Sequence, residues 1–135
     1  MRRTVITMLL STGLALSLLG SASAFAVGPL VVEPPPGYKW VGRIIKKDFN
    51  EPLGHRNYKK AMCVANRESN FHPDAYNPNS GASGVFQFIP STWAWASKAA
   101  GYGDDADPFD AATNIGTAAW VVTGYGWAPW GGHCP

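Results

Sequence analysis

Two cysteines, Cys63 and Cys134, constrain this chain more than any other feature. In an exported protein an even pair is most simply a disulfide. Such a bond ties the last residues back to the first main helix and closes a loop of roughly 70 residues, restricting the unfolded chain by about 4 kcal/mol in the chain-entropy model. For so small a domain that is a large share of total stability. The rival reading is a zinc site using Cys63, Cys134, His133 and another histidine, but no close Cys-x-x-Cys or His-x-x-x-His spacing supports it. A catalytic Cys63 is less favoured still. No metal and no cofactor are expected.

Export itself is read from the first residues. Arg2 and Arg3 precede an apolar run over residues 5–19, and Ala22, Ser23 and Ala24 follow, which is the layout of a secretory signal peptide over residues 1–24. Cleavage after Ala26, giving 1–26, is the alternative, since Ala24-Phe25-Ala26 also fits the small-x-small rule. The run is shorter than the roughly 20 residues a membrane-spanning helix needs, and no stop-transfer pattern follows. A retained anchor is the minority reading, and the paired arginines alone do not establish twin-arginine export. The expected location is therefore secreted and extracellular.

Removing the signal changes the charge balance. The chain has 11 Lys and Arg against 9 Asp and Glu, and Arg2 and Arg3 leave with the leader, so the mature protein is close to neutral. Nucleic acid is not an expected partner. Lys39, Arg43, Lys46, Lys47, Arg56, Lys59, Lys60 and Arg67 fall in the first half, and Asp104, Asp105, Asp107 and Asp110 in the second. Most of this asymmetry reads as a solvated face.

Residues 25–37 form a linker or N-terminal arm, because Pro34, Pro35 and Pro36 favour an extended polyproline conformation. One domain over residues 38–135 follows. Trp40, Val41, Ile44 and Ile45 predict a short helix that ends before Asn50, with Pro52 and Gly54 breaking the pattern. Tyr58, Ala61, Met62 and Ala65 predict a second helix over about 57–69. A string of turn formers over 71–81 can only be a loop. Residues 85–89 suit a short strand or hairpin arm, and Pro90-Ser91-Thr92 opens a third helix that stops at Gly101. For the final helix, Asp107 is the expected cap, Pro108 suits the first turn, and Ala112, Ile115, Ala119 and Val122 form the inner stripe until Gly124. The fold class is α+β, mainly helical, with at most a short β-hairpin and one disulfide.

The chemistry concentrates around Glu68. Near a helix C-terminus the unpaired carbonyls are partly negative, and aromatic neighbours such as Phe86 or Trp93 would exclude water, so a neutral carboxyl group is favoured there. A neutral carboxyl group is what protonating a glycosidic oxygen requires. The bland alternative is an exposed helix residue paired with Arg67 or Lys60, and spacing alone favours it.

Motif context reverses that order. Glu68-Ser69-Asn70-Phe71-His72-Pro73 resembles the Glu-Ser motif of lytic transglycosylases, and Gly81-Ala82-Ser83-Gly84-Val85-Phe86-Gln87 resembles their Gly-x-x-Gln segment. Pro90-Ser91-Thr92-Trp93 and the ending Gly126-Trp127-Ala128-Pro129-Trp130 with Cys134 are similar to the transglycosylase-like domain of actinobacterial resuscitation-promoting factors. The resemblance covers about residues 58–135. It implies a small lysozyme-like fold, peptidoglycan as substrate, and Glu68 as the sole catalytic acid.

Carried over by position, Glu68 would protonate the bond between N-acetylmuramic acid and N-acetylglucosamine, then accept the proton of the muramyl 6-hydroxyl as that oxygen closes on C1. A 1,6-anhydro product results. The N-acetyl group would replace a second carboxylate, so no nucleophile is assigned to Asp74 or to the aspartates from Asp104 to Asp110. Gln87 matches the substrate-contacting glutamine, since an amide both donates and accepts hydrogen bonds. Ser69 and Gly84 match positions that flank the acid and line the cleft, and Gly84 also suits a positive backbone dihedral. Phe86 stands where many relatives carry Met. Trp93 and Trp127 are the expected groove wall, whereas Trp130 and Trp40 are assigned to packing. An Ala-Tyr-Asn-Ala-Gly motif is absent, Thr123-Gly124-Tyr125-Gly126-Trp127 standing there instead, so the family's tyrosine has no matched counterpart and Tyr125 is the candidate for it.

The competing readings are a hydrolytic muramidase on the same fold, a catalytically silent wall-binding module, and a toxin or phage-type lysin. The expected protein is a cell-wall-associated monomer. Its basic half would help it dwell on an anionic wall, and another cell-wall hydrolase is the candidate protein partner.

Overall fold

Residues 31–135 are described in the computed structural model. The expected signal peptide and both of its cleavage positions, after Ala24 and Ala26, lie outside them, as does the first part of the proline-rich arm. The rest of the arm is packed: Pro34 is buried, Val31 and Val32 lie against the core, and a Cβ on Gly42 would come within 2.7 Å of the Pro34 ring. Glycine at position 42 lets the arm approach helix α1 (Lys39–Ile45), which starts after a 3-10 turn, Pro36–Tyr38.

Helix α1 buries Val41 and Ile45 and continues through a π-helical turn, Lys46–Asn50, into the short α2 (Glu51–Leu53). The helical turns predicted to end before Asn50 run on to Leu53, and of the two predicted breakers Gly54, where φ is 85°, ends them while Pro52 does not. Pro52 sits in the first turn of α2, where its missing N–H removes no helical bond. Phe49, carried by the π turn, is fully buried.

Helix α3 (His55–Ser69) buries Ala61, Met62, Val64 and Ala65. Asn70 ends it in the left-handed conformation, and the Phe71 N–H reaches back to the Ala65 carbonyl at 3.3 Å. The chain therefore turns sharply two residues after Glu68. Cys63 projects from the same helix and is joined to Cys134, their Cα atoms 5.8 Å apart. Both cysteines being bonded to each other removes the zinc and nucleophile readings. Among the described residues no group of three or more His, Cys, Asp or Glu could hold a metal ion.

Between α3 and α4 (Pro90–Ala99) the predicted strand over 85–89 is absent. Ser83 and Phe88 exchange backbone hydrogen bonds of 3.0 and 3.1 Å, so the segment is a tight turn closed by one bridge. Gly84 at φ 79° and Gln87 at φ 51° are incompatible with an extended strand. Helix α5 (Ala111–Tyr125) is capped by Asp110, not Asp107: its carboxylate accepts the Thr113 N–H at 2.8 Å. The hydrogen bonds with Thr113 hold the Asp110 carboxyl below the usual range. Asp107 accepts from the Phe109 N–H one turn earlier, so both aspartates shape the approach.

Helix α5 is buried on more than one stripe. Ile115 and Val122 face inward as the spacing predicts, Ala119 is half-buried and Ala112 is exposed, while Asn114 and Thr117 are fully buried. Among the described residues no helix is long and apolar enough to cross a membrane. The mainly helical class, one disulfide and near absence of strand agree with the fold expected of a small lysozyme-like domain.

Candidate active site

Where α3, α4 and α5 converge, a cleft of about 680 Å³ opens to solvent. Glu68, one residue from the end of α3, lies on one wall with its side chain 27% exposed. Gln87, Phe88 and Ile89 leave the tight turn to form the floor, and Thr92 and Trp95 of α4 continue it. Val121 and Tyr125 of α5 and the 3-10 turn Ala128–Trp130 close the other side. Of the residues lining the cleft, Glu68 is the one carboxylate.

The floor is held by a residue that sequence reasoning missed. Asn114 accepts the Phe86 N–H at 2.8 Å and donates to the carbonyls of Ser83 at 3.3 Å and Pro108 at 2.9 Å. An amide supplies both the acceptor and the donors this turn needs. Its one sequence signal is an amide, a poor helix former, among the small and apolar residues and threonines of that helix. Gly84 explains itself against the same amide, since a Cβ there would stand 2.3 Å from Asn114 Nδ2 and 2.1 Å from the Pro108 carbonyl. Ser69 Oγ donates to the carbonyls of Ala65 and Val85, at 3.1 and 2.9 Å. Ser69 thus joins the acid's helix to the floor and Gly84 lets the floor pack on Asn114 of α5, and neither lines the cleft.

Gln87 does line it. Its amide nitrogen donates to the Gly84 and Ala75 carbonyls at 2.9 and 3.1 Å, which fixes the side chain and leaves its carbonyl oxygen with no partner among the described residues. Phe86 is fully buried, its ring 5.7 Å from those of both Phe49 and Trp130.

The aromatic wall is not the expected one. Trp93 is 8% exposed, packs on Phe88 and donates its indole N–H to the Ala106 carbonyl at 2.9 Å. Trp127 stacks on Phe49 and donates to Asn57 Oδ1 at 2.8 Å. Neither lines the cleft. Trp95 and Tyr125 do, 44% and 60% exposed, their rings 5.8 Å apart, with Trp120 packed against both. Trp130, assigned to packing, does pack, but it also lines the cleft and donates its indole N–H to the Phe86 carbonyl at 2.9 Å.

Glu68 has a neighbour that decides how it sits. Arg67 donates from Nε and Nη2 to Glu68 Oε1, at 2.9 and 2.6 Å. The same Nη2 donates to the Trp130 carbonyl. The pairing that the bland reading expected is therefore present, yet the paired carboxyl faces the cleft. Other carboxylates stand away from it: Asp74 is exposed, Asp104 pairs with Lys98, and Asp107 and Asp110 are occupied with the approach to α5.

A cleft lined by one carboxylate, with a hydrogen-bonded floor and an aromatic wall, suits a neutral, ring-shaped polymer better than a charged one. No curated protein and no solved structure matches the chain. The family model described as Transglycosylase SLT domain matches residues 54–125. That span starts at the glycine before α3, takes in the acid, the turn and α4, and ends at the last residue of α5, so the chain belongs to the transglycosylase SLT domain family.

Proposed function

We propose that this protein is a peptidoglycan lytic transglycosylase that cuts the glycan strand between N-acetylmuramic acid and N-acetylglucosamine. Family membership supports the activity and the substrate in general. The observation that carries the mechanism is Glu68 as the one carboxylate lining the cleft. In the first step Glu68 gives its proton to the glycosidic oxygen, and the bond from that oxygen to the muramyl C1 breaks while the sugar's own N-acetyl oxygen supports C1. In the second, the Glu68 carboxylate takes the proton of the muramyl 6-hydroxyl, and that oxygen bonds to C1. Glu68 ends protonated as it began, and no water is consumed. The free acceptor of Gln87 suits an N–H or hydroxyl of the strand, and Trp95 and Tyr125 suit the face of a sugar ring.

Export to the wall is part of this proposal, resting on the leader pattern of residues 1–24 and on the disulfide. The ending that contains Trp127, Trp130 and Cys134 supports placement in the resuscitation-factor-like branch. Glu68→Gln tests the core of it. With purified peptidoglycan, fragment masses lacking one water relative to reducing ends are expected from the native protein, and turnover reduced by roughly 10²- to 10⁴-fold from the variant. Reducing-end products would favour a hydrolytic muramidase. Cleavage that survives the substitution would refute Glu68 as the acid, and wall binding without cleavage by the native protein would leave a wall-binding module.

A further inference from the structure

We propose that Arg67 is the positioning residue of the acid and that it divides the work between the two oxygens of Glu68, Oε1 held and Oε2 reacting; this rests on the function proposed above. Both guanidinium donors that reach the carboxyl group end on the same oxygen, Oε1, at 2.9 and 2.6 Å. Oε2 makes no hydrogen bond with any described residue. A carboxyl anchored through one oxygen by two donors of a planar guanidinium has that oxygen occupied and its second oxygen left free to react. Catalysis that asks one side chain to donate a proton and then accept one from a different oxygen depends on that free oxygen.

Arg67 does not act alone in space. Its Nη2 is also held by the Trp130 carbonyl, and Trp130 is pinned in turn through its indole N–H to the Phe86 carbonyl at 2.9 Å. Phe86 is itself fastened to Asn114. The acid on α3 and the floor of the cleft are therefore set relative to each other by a chain of hydrogen bonds running through Arg67. The guanidinium also stands ready to balance the charge left on Glu68 once the proton has moved to the departing sugar. Lysine could supply that charge, but not the planar fork that orients the group.

The test uses initial rates on soluble, purified glycan strands, with melting curves for every variant. Arg67→Gln and Arg67→Lys are each expected to lower kcat by about 10- to 100-fold while KM changes by less than about twofold, Lys being the milder. Arg67→Gly is expected to regain part of its turnover when guanidinium is added at concentrations that leave the native rate unchanged. Native-like kcat in Arg67→Gln or Arg67→Lys overturns the inference, and so does a loss carried by KM, which would make Arg67 a substrate-binding group. Should Arg67→Gln fail to melt cooperatively, Arg67→Lys decides by the same criteria. A cleaving Glu68→Gln protein refutes the proposed function itself, whereas a silent Glu68→Gln beside fully active Arg67 variants refutes only the role of Arg67.

Discussion

Replacing Asn114 separates a structural amide from an ordinary buried polar residue. The side chain is fully buried and makes three hydrogen bonds, to the Phe86 N–H and to the Ser83 and Pro108 carbonyls. At about 1 kcal/mol net for each bond, Asn114→Ala removes about 3 kcal/mol, and the Phe86 N–H left without an acceptor adds about 1 more. Against a typical total of about 5 to 15 kcal/mol, such a protein still folds but melts well below the native one. Asn114→Asp is the sharper comparison. One carboxylate oxygen can still accept from Phe86, but the other faces two carbonyls that need a donor, and the group is buried.

The aspartate variant should therefore be less stable than the alanine variant at neutral pH. Protonating the new carboxyl restores a donor, and burial holds its proton affinity above that of the unfolded chain. A group raised in this way contributes stability at low pH that is lost as pH rises through its folded value. Urea unfolding of both variants between pH 4 and pH 8 measures this, with the gap between Asp and Ala closing toward acid. An Asn114→Ala loss under about 1 kcal/mol, or an aspartate variant at least as stable as alanine at pH 7, would refute the account of the floor.

Three further outcomes are expected. Cys134→Ser removes the link to α3 and should lower stability by about 4 kcal/mol in urea unfolding, a drop under about 1 kcal/mol being contrary to it. The Asp110 carboxyl is held low by its hydrogen bonds with Thr113, so its contribution is present above the unfolded value and lost as pH falls through the folded one; urea midpoints between pH 5 and pH 2 should fall less in Asp110→Asn, which can still cap the helix, than in the native protein. Trp95→Ala should raise KM for glycan strands by about five- to tenfold, the loss of roughly 1 to 1.4 kcal/mol of ring contact, with kcat nearly unchanged.

Much of this arrangement is legible in the sequence where the determinants are local. The stripe through Ala61, Met62 and Ala65 places α3 within two residues, and Glu68 follows at its end and is found on the cleft. The cysteine pair needs only composition and an export signal, and the bond between Cys63 and Cys134 is present. What sequence reasoning missed depends on how helices dock. Trp93 and Trp95 stand two residues apart on α4 and so point to different sides; periodicity cannot say which side meets the cleft, and the structure buries Trp93 while exposing Trp95 to it. Asp107 and Asp110 are equally good caps by residue type, and only the backbone path selects Asp110. The role of Asn114 is invisible without the turn it holds, because the groups it bonds lie 6 to 31 residues away along the chain.

The walls and the floor of the cleft are tied together at a few named residues, and what lies between those ties is where such a protein can diversify. The floor is locked by Asn114 and Ser69, and the lip between Gly126 and Gly131, both at φ 68°, is a short span anchored at Trp127, on Phe49 and Asn57, and at Trp130, on the Phe86 carbonyl. Ala128 and Pro129, exposed between those two anchors, are the positions that can be exchanged without disturbing the acid or its support. Selectivity for different strand decorations could then be retuned on a fixed chemical chassis.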